Sequence, residues 1–380
     1  SGTARFARLT QPGPAGRLRL LLLIHRHRGP GSLNAVHKSV FTACCLAAFS
    51  ATGFAQQSAP SIPDPALFDE STLLEVELTG PVDSTIDDRK ERRERPFTLK
   101  LEGEEWPVQV RVRGKSRSRE KICDFPPLRL RFENAAGVFA GQTKLKLVTH
   151  CKTADSGDSN AMEEYATYRI FNLLTPISFR VRAIRVTYND TESRSKSNAE
   201  TRYGFLIESA DDLAERTGAG MPELDGIRLS QLDPDHAALV YVFQYLIGNT
   251  DWSLVTGDGS SHCCHNGLLL ESNEQLHYVP YDFDLAGLVN ASYAKPDPSL
   301  RLRNVRKRRY LGFCTQPELL ITAIRKVAGL EEAIYEVVRT TPGLSERNRA
   351  SDIDYLEQFF KKARNEEELR RRFEKQCKSA

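Results

Sequence analysis

The first half of the chain alternates hydrophobic and polar residues with a period of two. In residues 108–113, 128–132 and 144–148 every second residue is apolar, and most of the residues between them are basic. This period predicts β-strands with one buried face. Three further strands are predicted at Leu73–Leu78, Phe179–Tyr188 and Tyr203–Ser209. The pattern therefore predicts an antiparallel sheet with one basic face, which either binds a ligand or is simply solvated.

The second half changes to the spacing of helices. An apolar stripe over residues 166–174 predicts a helix that begins near Asn160 and ends before Pro176, and a second stripe covers residues 239–247. Three more helices are predicted at Gln316–Val327, Leu330–Arg339 and Ile353–Gln376. The last is highly charged with a thin apolar face, so we expect it to pack on the outside. Strands followed by helices predict an α+β fold.

Candidate chemistry is concentrated in residues 245–287. Asp251 follows the second apolar stripe, Asn266 follows a polar loop, and Asp282 and Asp284 follow two short apolar runs. A kinase-type site needs a carboxylate beside the acceptor hydroxyl, and an amide oxygen and a second carboxylate that hold Mg²⁺ on the phosphates. Each residue alone is more typical of a turn between strands. Their order and spacing favour the phosphoryl-transfer interpretation.

Charge and composition locate the start of the folded part. Seven of the 53 basic residues, and none of the 50 acidic ones, fall within residues 1–56. The remaining 46 basic residues nearly balance the acidic ones, which gives no electrostatic case for nucleic-acid binding. Lys38 precedes the apolar run Val40–Phe49 and a small-residue stretch, the layout of a secretory signal that is too short to span a bilayer. We therefore predict export to the periplasm or the extracellular space.

Export changes the interpretation of the cysteines. Six of the eight lie beyond the predicted signal, and an even number in an oxidising compartment is compatible with disulfides. Six cysteines allow 15 connectivities, and the sequence does not select one of them.

Several short motifs together carry a resemblance. They are VRVRGKSRS at Val110–Ser118, PPLRLRF at Pro126–Phe132, KLKLVTHC at Lys144–Cys151, EEYATYRIFNLL at Glu163–Leu174, RYGFLIES at Arg202–Ser209, GNTDWS at Gly248–Ser253 with His265-Asn266, and VPYDFD at Val279–Asp284. With these motifs the chain resembles the spore-coat protein H-like (CotH) family of atypical kinases and, more distantly, the HipA and phosphoinositide kinases. The resemblance covers about Leu73 to Asn290. It implies a bilobal protein-kinase-like fold with an antiparallel-sheet N-lobe and a mainly helical C-lobe.

The resemblance also assigns roles by position. It makes Asp251 the catalytic carboxylate and Asn266 and Asp282 metal ligands, with Asp284 either a further ligand or the residue that orients the site. Lys146 would hold the nucleotide phosphates, with Glu164 as its ion-pair partner, although Lys144 lies on the same strand face. The implied cofactors are ATP with Mg²⁺ or Mn²⁺, and the implied partner is a protein substrate. No glycine-rich GxGxxG loop is present, so residues 113–118 would have to cover the phosphates.

Two functions from different classes follow. The first is an exported kinase-like phosphotransferase, and the second is a non-catalytic kinase-fold binding protein of the cell envelope. The predicted domain organisation has five parts. They are an upstream extension outside the native protein at 1–35, a signal peptide at 36–55, a linker at 56–72, an N-lobe at 73–209 and a C-lobe at 210–380. We expect no integral membrane segment in the mature chain.

Overall fold

A computed structural model of the chain describes residues 66–69, 71–154, 156–193, 199–255 and 263–379. The described residues belong to one compact unit. The predicted upstream extension, signal peptide and most of the linker lie outside them. The predicted boundary between two lobes at residues 209 and 210 stays a prediction.

Seven strands form a closed barrel. They are β1 (Leu74–Gly80), β2 (Arg95–Leu101), β3 (Glu104–Val112), β4 (Leu128–Phe132), β5 (Lys144–Val148), β6 (Val181–Asp190) and β7 (Glu200–Ile207). Their order around the barrel is β1-β2-β3-β4-β5-β7-β6, and β1 pairs with β6 in parallel. The prediction of an antiparallel sheet is therefore wrong at this closing pair, and the closed barrel differs from the expected bilobal layout. Closure removes the unpaired edges that an open sheet would leave.

The strand register separates an apolar inner face from a basic outer one. Val110 lies beside Leu130, which in turn lies beside Leu145, and all three are buried in the barrel interior. The adjacent row on the opposite face consists of Arg111, Arg129 and Lys146. The predicted basic face is therefore present. Strand β2 was not predicted, because its residues 95–101 directly follow an unbroken run of charged residues at 87–94, which is more typical of a connection than of a strand.

Eight α-helices occur in the described residues. They are α1 (Val82–Asp87), α2 (Ser156–Leu174), α3 (Ala210–Thr217), α4 (Pro234–Ile247), α5 (Pro317–Ala328), α6 (Glu331–Thr340), α7 (Glu346–Ala363) and α8 (Glu366–Glu374). Helix α2 packs on the outside of the barrel, where Tyr165 and Tyr168 approach Phe205 of β7 with ring centroids 6.0 and 5.6 Å apart. A hairpin of β8 (Gly267–Ser272) and β9 (Gln275–Pro280) follows α4.

The C-terminal helices depart from the prediction in two ways. The predicted helix Ile353–Gln376 is two helices, α7 and α8, because Asn365 caps a new helix by accepting a hydrogen bond from the Glu368 amide. Its apolar face is also not peripheral: Phe359 and Phe360 are fully buried in the second hydrophobic core, which α2 and α4–α8 share. The prediction failed because charged residues surround a pair of large aromatic side chains, and burial of those two rings outweighs the exposure of the charges.

Three disulfides use all six described cysteines. They join Cys123 to Cys151, Cys263 to Cys264, and Cys314 to Cys377. No helix in the described ranges combines the length and the apolar character needed to cross a membrane.

Candidate active site

The β8–β9 hairpin brings two of the predicted site residues together. Its two-residue turn, Asn273-Glu274, has positive φ at both positions, the geometry of a tight type I′ turn. At the open end Gly267 pairs with Pro280, and the Tyr281 amide donates to the Asn266 carbonyl at 3.0 Å. Asn266 therefore lies opposite Tyr281 at the end of the hairpin, and Asp282 is the next residue along the chain. Asn266 and Asp282 both have left-handed backbone conformations, with φ of 51° and 62°. Such strained conformations concentrate at functional sites.

Asp251 is held in a fixed orientation by its neighbours. Its Oδ1 lies 2.9 Å from His265 Nε2, and its Oδ2 accepts a hydrogen bond of 2.9 Å from Asn266 Nδ2. The Asp251 amide donates to Asn249 Oδ1 at 3.0 Å. Its side chain keeps 39% of its surface exposed. The structure therefore presents an oriented and accessible carboxylate, as a proton acceptor requires.

Arg117 lies at the centre of a cluster of acids, two of them buried and one partly exposed. Its Nη1 lies 2.8 Å from Glu164 of α2, its Nη2 lies 2.5 Å from Asp282, and its Nε lies 3.4 Å from Asp284. We call Glu164, Asp282 and Asp284 together with Arg117 the acid cluster. One guanidinium with several donors can satisfy three carboxylates that would otherwise repel one another. The acid cluster thus joins the turn after β3, helix α2 and the segment after β9.

The turn that carries Arg117 is fixed at both ends. Arg92 donates to the Gly114 carbonyl at 2.7 Å and to Ser118 Oγ at 3.1 Å. Farther along, the Cys123–Cys151 disulfide ties the same segment to the chain just after β5. These contacts limit the freedom of the turn, so Arg117 reaches the acids from a constrained backbone.

Burial perturbs the protonation of the acid cluster. Burial raises the pKa of Asp284 to about 7, against the opposing effect of Arg117. Burial likewise raises the pKa of Glu164, again opposed by Arg117. For Arg117 burial disfavours the cation, but Asp284, Glu164 and Asp282 together raise its pKa well above the ordinary value. The guanidinium therefore stays charged at any physiological pH.

Uncompensated positive charge lies next to the acid cluster. Burial, followed by the charges of Arg113 and Arg129, lowers the pKa of Lys146 to about 8. The Lys146 ammonium lies 5.4 Å from the ring centre of Phe179 and 5.8 Å from that of Tyr281. No ion pair between Lys146 and a carboxylate occurs among the described residues.

The predicted Lys146–Glu164 pair is therefore wrong, because Arg117 occupies Glu164. The strand register places Lys146 on the outer face of β5, where its ammonium lies near Tyr281. Arg117, in the turn after β3, contacts Glu164 of α2 instead. Lys144, the alternative on the same strand face, is exposed.

The predicted metal ligands suit a hard cation in their chemistry. Carboxylate and amide oxygens are the donors that Mg²⁺ prefers, and Asp282 keeps 36% of its side-chain surface exposed. Yet no group of three His, Cys, Asp or Glu side chains within the described ranges is arranged to hold a metal ion. Since Arg117 already contacts Asp282 and Asp284, a cation there would share those oxygens with the guanidinium. Asn266, Asp282 and Asp284 thus stay predicted ligands.

The two loops of the site are tied together at glycines. The Gly287 amide donates to the Gly248 carbonyl at 3.1 Å, and the Leu288 amide donates to the Ile247 carbonyl at 2.9 Å. The hydroxyl of Tyr355, from α7, fits against both glycines. A Cβ atom at Gly248 would lie 2.0 Å from that hydroxyl oxygen. Close backbone approach and the φ of 67° at Gly248 therefore both require glycine.

Replacing Gly248 by alanine should destabilise the fold by about 3 kcal/mol, as left-handed strain adds to a steric clash. Gly218 offers a matched control. It ends α3 with a φ of 63°, as Gly248 ends α4, but nothing lies within 4 Å of its would-be Cβ. Gly218→Ala should cost only about 1 kcal/mol, from backbone strain alone. Urea unfolding of both variants measures the difference, and equal losses would show that the Tyr355 contact does not constrain the site.

Sequence reasoning missed two residues of this site, Arg117 and His265. Arg117 was included only as one of several cations in the turn at residues 113–118. His265 was noted only as the neighbour of Asn266. The available signal for Arg117 was a run of cations directly after an apolar strand, but which of them reaches the acids depends on the turn conformation. For His265 no signal separates it from an ordinary loop histidine.

Comparisons with known proteins identify no family for this chain. No family model matches the chain, and no curated protein matches it. Among solved structures it is similar to the Helicobacter pylori proinflammatory kinase CtkA, with 10% identity and a TM-score of 0.35 over 73% of this chain and 91% of that one. It is also similar to HipA of Shewanella oneidensis MR-1, from a toxin–antitoxin complex with HipB and operator DNA, with 10% identity and a TM-score of 0.31 over 74% of this chain and 66% of that one. Membership of the CotH family stays a prediction.

Proposed function

We propose that the chain is an exported kinase-like phosphotransferase that moves a phosphoryl group from ATP to a protein hydroxyl. The observation that carries this proposal is the set of cations Lys146, Arg113 and Arg129 beside the acid cluster. Burial lowers the pKa of each of the three, and neighbouring arginines lower each of them further: Arg113 and Arg129 for Lys146, Arg117 and Arg129 for Arg113, and Arg111 for Arg129. A buried cation without a carboxylate partner is costly unless a ligand supplies the negative charge. A nucleotide polyphosphate has that charge.

The acids on the other side of the site support the same assignment. A purely anionic ligand would be repelled by Asp282 and Asp284, whereas phosphates that carry a divalent cation would contact cations and acids together. Mg²⁺ or Mn²⁺ bound by Asn266, Asp282 and Asp284 would neutralise charge on the phosphates. Lys146, Arg113 and Arg129 would bind and orient the phosphate oxygens from the barrel side.

Asp251 supplies the remaining group that the reaction needs. The oxygen of the acceptor hydroxyl would form a bond to the γ-phosphorus while the bond from that phosphorus to the bridging oxygen of ADP breaks. ADP leaves with the electron pair of the broken bond, and the hydroxyl proton passes to the Asp251 carboxylate. His265 and Asn266 would hold that carboxylate in place through the hydrogen bonds described above.

Two further observations support export. All six described cysteines form disulfides, which persist in oxidising compartments and are rare in the cytosol. The predicted signal peptide at 36–55 agrees with this. A protein acceptor rests on the CotH resemblance.

The second candidate, a non-catalytic binding protein, is favoured by one contact. Arg117 already forms ion pairs with Asp282 and Asp284, so both acids have a cationic partner without a metal ion. Such a protein would keep the phosphate-facing cations but would not transfer a phosphoryl group. Phosphoryl transfer by the wild-type protein in the presence of Mg²⁺ separates the two.

Replacing Lys146 by methionine tests the phosphate-binding role. We expect Mg²⁺–ATP binding to weaken at least tenfold, while the fold becomes more stable at pH 7 by on the order of 2 kcal/mol, because a buried charge is removed. The folded pKa of about 8 lies below the ordinary lysine pKa of 10.5. The unfolded chain therefore binds more protons between these values, so wild-type stability should rise across that pH window. The stability of Lys146→Met should not rise across this pH window.

Lys144→Met is the matched control, because Lys144 is exposed on the same strand face. Lys144→Met should change neither Mg²⁺–ATP binding nor the stability of the fold. Thermal shift with and without Mg²⁺–ATP, and urea unfolding at pH 7 and pH 10, measure both effects. Unchanged nucleotide binding in Lys146→Met would remove the main support for the proposed function.

A further inference from the structure

A cavity of about 750 Å³ opens beside Asp251. Asp251 and His265 form one side of it, and Trp252, Leu285, Leu300 and Leu311 supply apolar surface. A volume of this size holds several side chains of a peptide or a small ligand. The cavity lies next to Asp251, the proposed proton acceptor. We therefore expect it to bind the substrate whose hydroxyl receives the phosphoryl group.

The lining of the cavity also includes two lysines, Lys295 and Lys378. Lys378 is fixed by the local structure although it lies near the end of the described residues. Its amide donates to the Gly312 carbonyl at 3.0 Å, and its carbonyl accepts from the Cys314 amide at 2.9 Å. The neighbouring Cys377 is joined to Cys314 by a disulfide. These contacts anchor the backbone of Lys378 at the cavity wall.

The acidic groups of the cavity leave this positive charge available. Asp297 accepts hydrogen bonds from its own turn, at the Ser299 amide, and no ion pair joins it to either lysine among the described residues. Asp251 is held by His265 and Asn266. An incoming acceptor substrate therefore meets Asp251, two cations and an apolar surface within one cavity.

We propose that this cavity binds a peptide segment in which an acidic residue and an apolar residue lie close to the reacting serine or threonine. The proposal deepens the proposed function and rests on it for the role of Asp251. The hydroxyl would lie at Asp251, the apolar side chain against Trp252 and the leucines, and the carboxylate near Lys295 and Lys378. A peptide is favoured over a small molecule because Lys295, Asp297, Ser299 and Lys378 are all exposed at the rim, so the cavity is wide at its mouth. An extended chain can cross such an opening.

Reversing the charges in the peptide and in the cavity tests this inference directly. The probes are two fluorescent eleven-residue peptides with a central serine next to leucine, one carrying two glutamates and the other two lysines near the serine. Fluorescence anisotropy of the full chain should show at least tenfold tighter binding of the glutamate peptide. The variant Lys295→Glu/Lys378→Glu should reverse this preference. Lys375→Glu, an exposed lysine outside the cavity, is the matched control and should keep it.

The outcomes separate this inference from the proposed function. If Mg²⁺–ATP binds but neither peptide is preferred, or if Lys375→Glu acts like the double variant, the peptide site is overturned and the nucleotide site stands. If the peptide preference reverses as expected but Mg²⁺–ATP does not bind, the peptide site stands and the phosphotransferase assignment fails. Binding of glycerol 2-phosphate in the cavity with no binding of either peptide would also overturn the proposal.

Discussion

Replacement of Asp251 by asparagine should lower phosphoryl transfer by about 10²- to 10⁴-fold, the usual contribution of a general base. Binding of Mg²⁺–ATP should stay within about twofold of wild type, because the proposed mechanism places Asp251 at the acceptor hydroxyl rather than at the nucleotide. The fold should tolerate the change. An asparagine oxygen can still accept from Asn266 Nδ2, and its amide can donate to His265 Nε2 in the tautomer that leaves this nitrogen unprotonated.

Asp282→Asn provides the contrasting variant. Loss of a charged oxygen ligand should weaken metal-dependent nucleotide binding and lower transfer with it. Asp354→Asn, an exposed position on α7, controls for the loss of one negative charge. Transfer of labelled γ-phosphate and calorimetric titration with Mg²⁺–ATP measure the two properties.

The two site variants must therefore differ: one should bind nucleotide without turnover, and the other should bind poorly. If both keep wild-type binding and wild-type transfer, Asp251 and Asp282 are turn residues and the site lies elsewhere. If the wild-type protein itself binds no nucleotide with Mg²⁺ or Mn²⁺, the kinase-like assignment fails.

Replacing Arg117 by methionine should destabilise the fold by about 3–5 kcal/mol at pH 8, since it leaves buried carboxylates without their cation. Glu164 is almost fully buried and Asp284 nearly so, and both lie within ion-pair distance of Arg117. Removing a partner from a buried ion pair costs far more than removing the whole pair. The double variant Arg117→Met/Glu164→Leu should therefore recover part of the loss.

The cost of Arg117→Met should depend on pH. The pKa of Asp284 is already raised to about 7 in the presence of Arg117, and loss of the guanidinium should raise it further. A carboxyl group whose folded pKa is raised contributes stability at low pH and loses it as the pH rises through that value. The variant should thus be closer to wild type at pH 5 than at pH 8.

Arg119→Met is the control for the Arg117 experiment, because Arg119 is exposed in the same segment. It should change stability by less than about 0.5 kcal/mol at both pH values. Urea unfolding at pH 5 and pH 8 measures all four proteins. A loss for Arg117→Met no larger than that for Arg119→Met at pH 8 would show that the acid cluster does not depend on the guanidinium.

The sequence predicted local secondary structure wherever a short segment determines its own contacts. Alternating residues predicted strands β3, β4 and β5 and their basic face, because side chains on successive strand residues point to opposite sides. The association of Asn266 with Asp282 also follows from local structure. Two short strands joined by a two-residue turn place their outer ends side by side.

Contacts between distant segments were decided only by the tertiary structure. Arg117 and Asp282 are 165 residues apart along the chain, and no period or spacing indicates that they meet. The same holds for the parallel pairing of β1 with β6, which closes the barrel, and for the presence of Lys378 in the lining of the cavity that Asp251 also lines. Hydrophobic periodicity indicates which face of a segment is buried, but not which other segment packs against that face. The choice among partners depends on the packing of the whole chain, so the cation that completes the acid cluster emerged only from the folded protein.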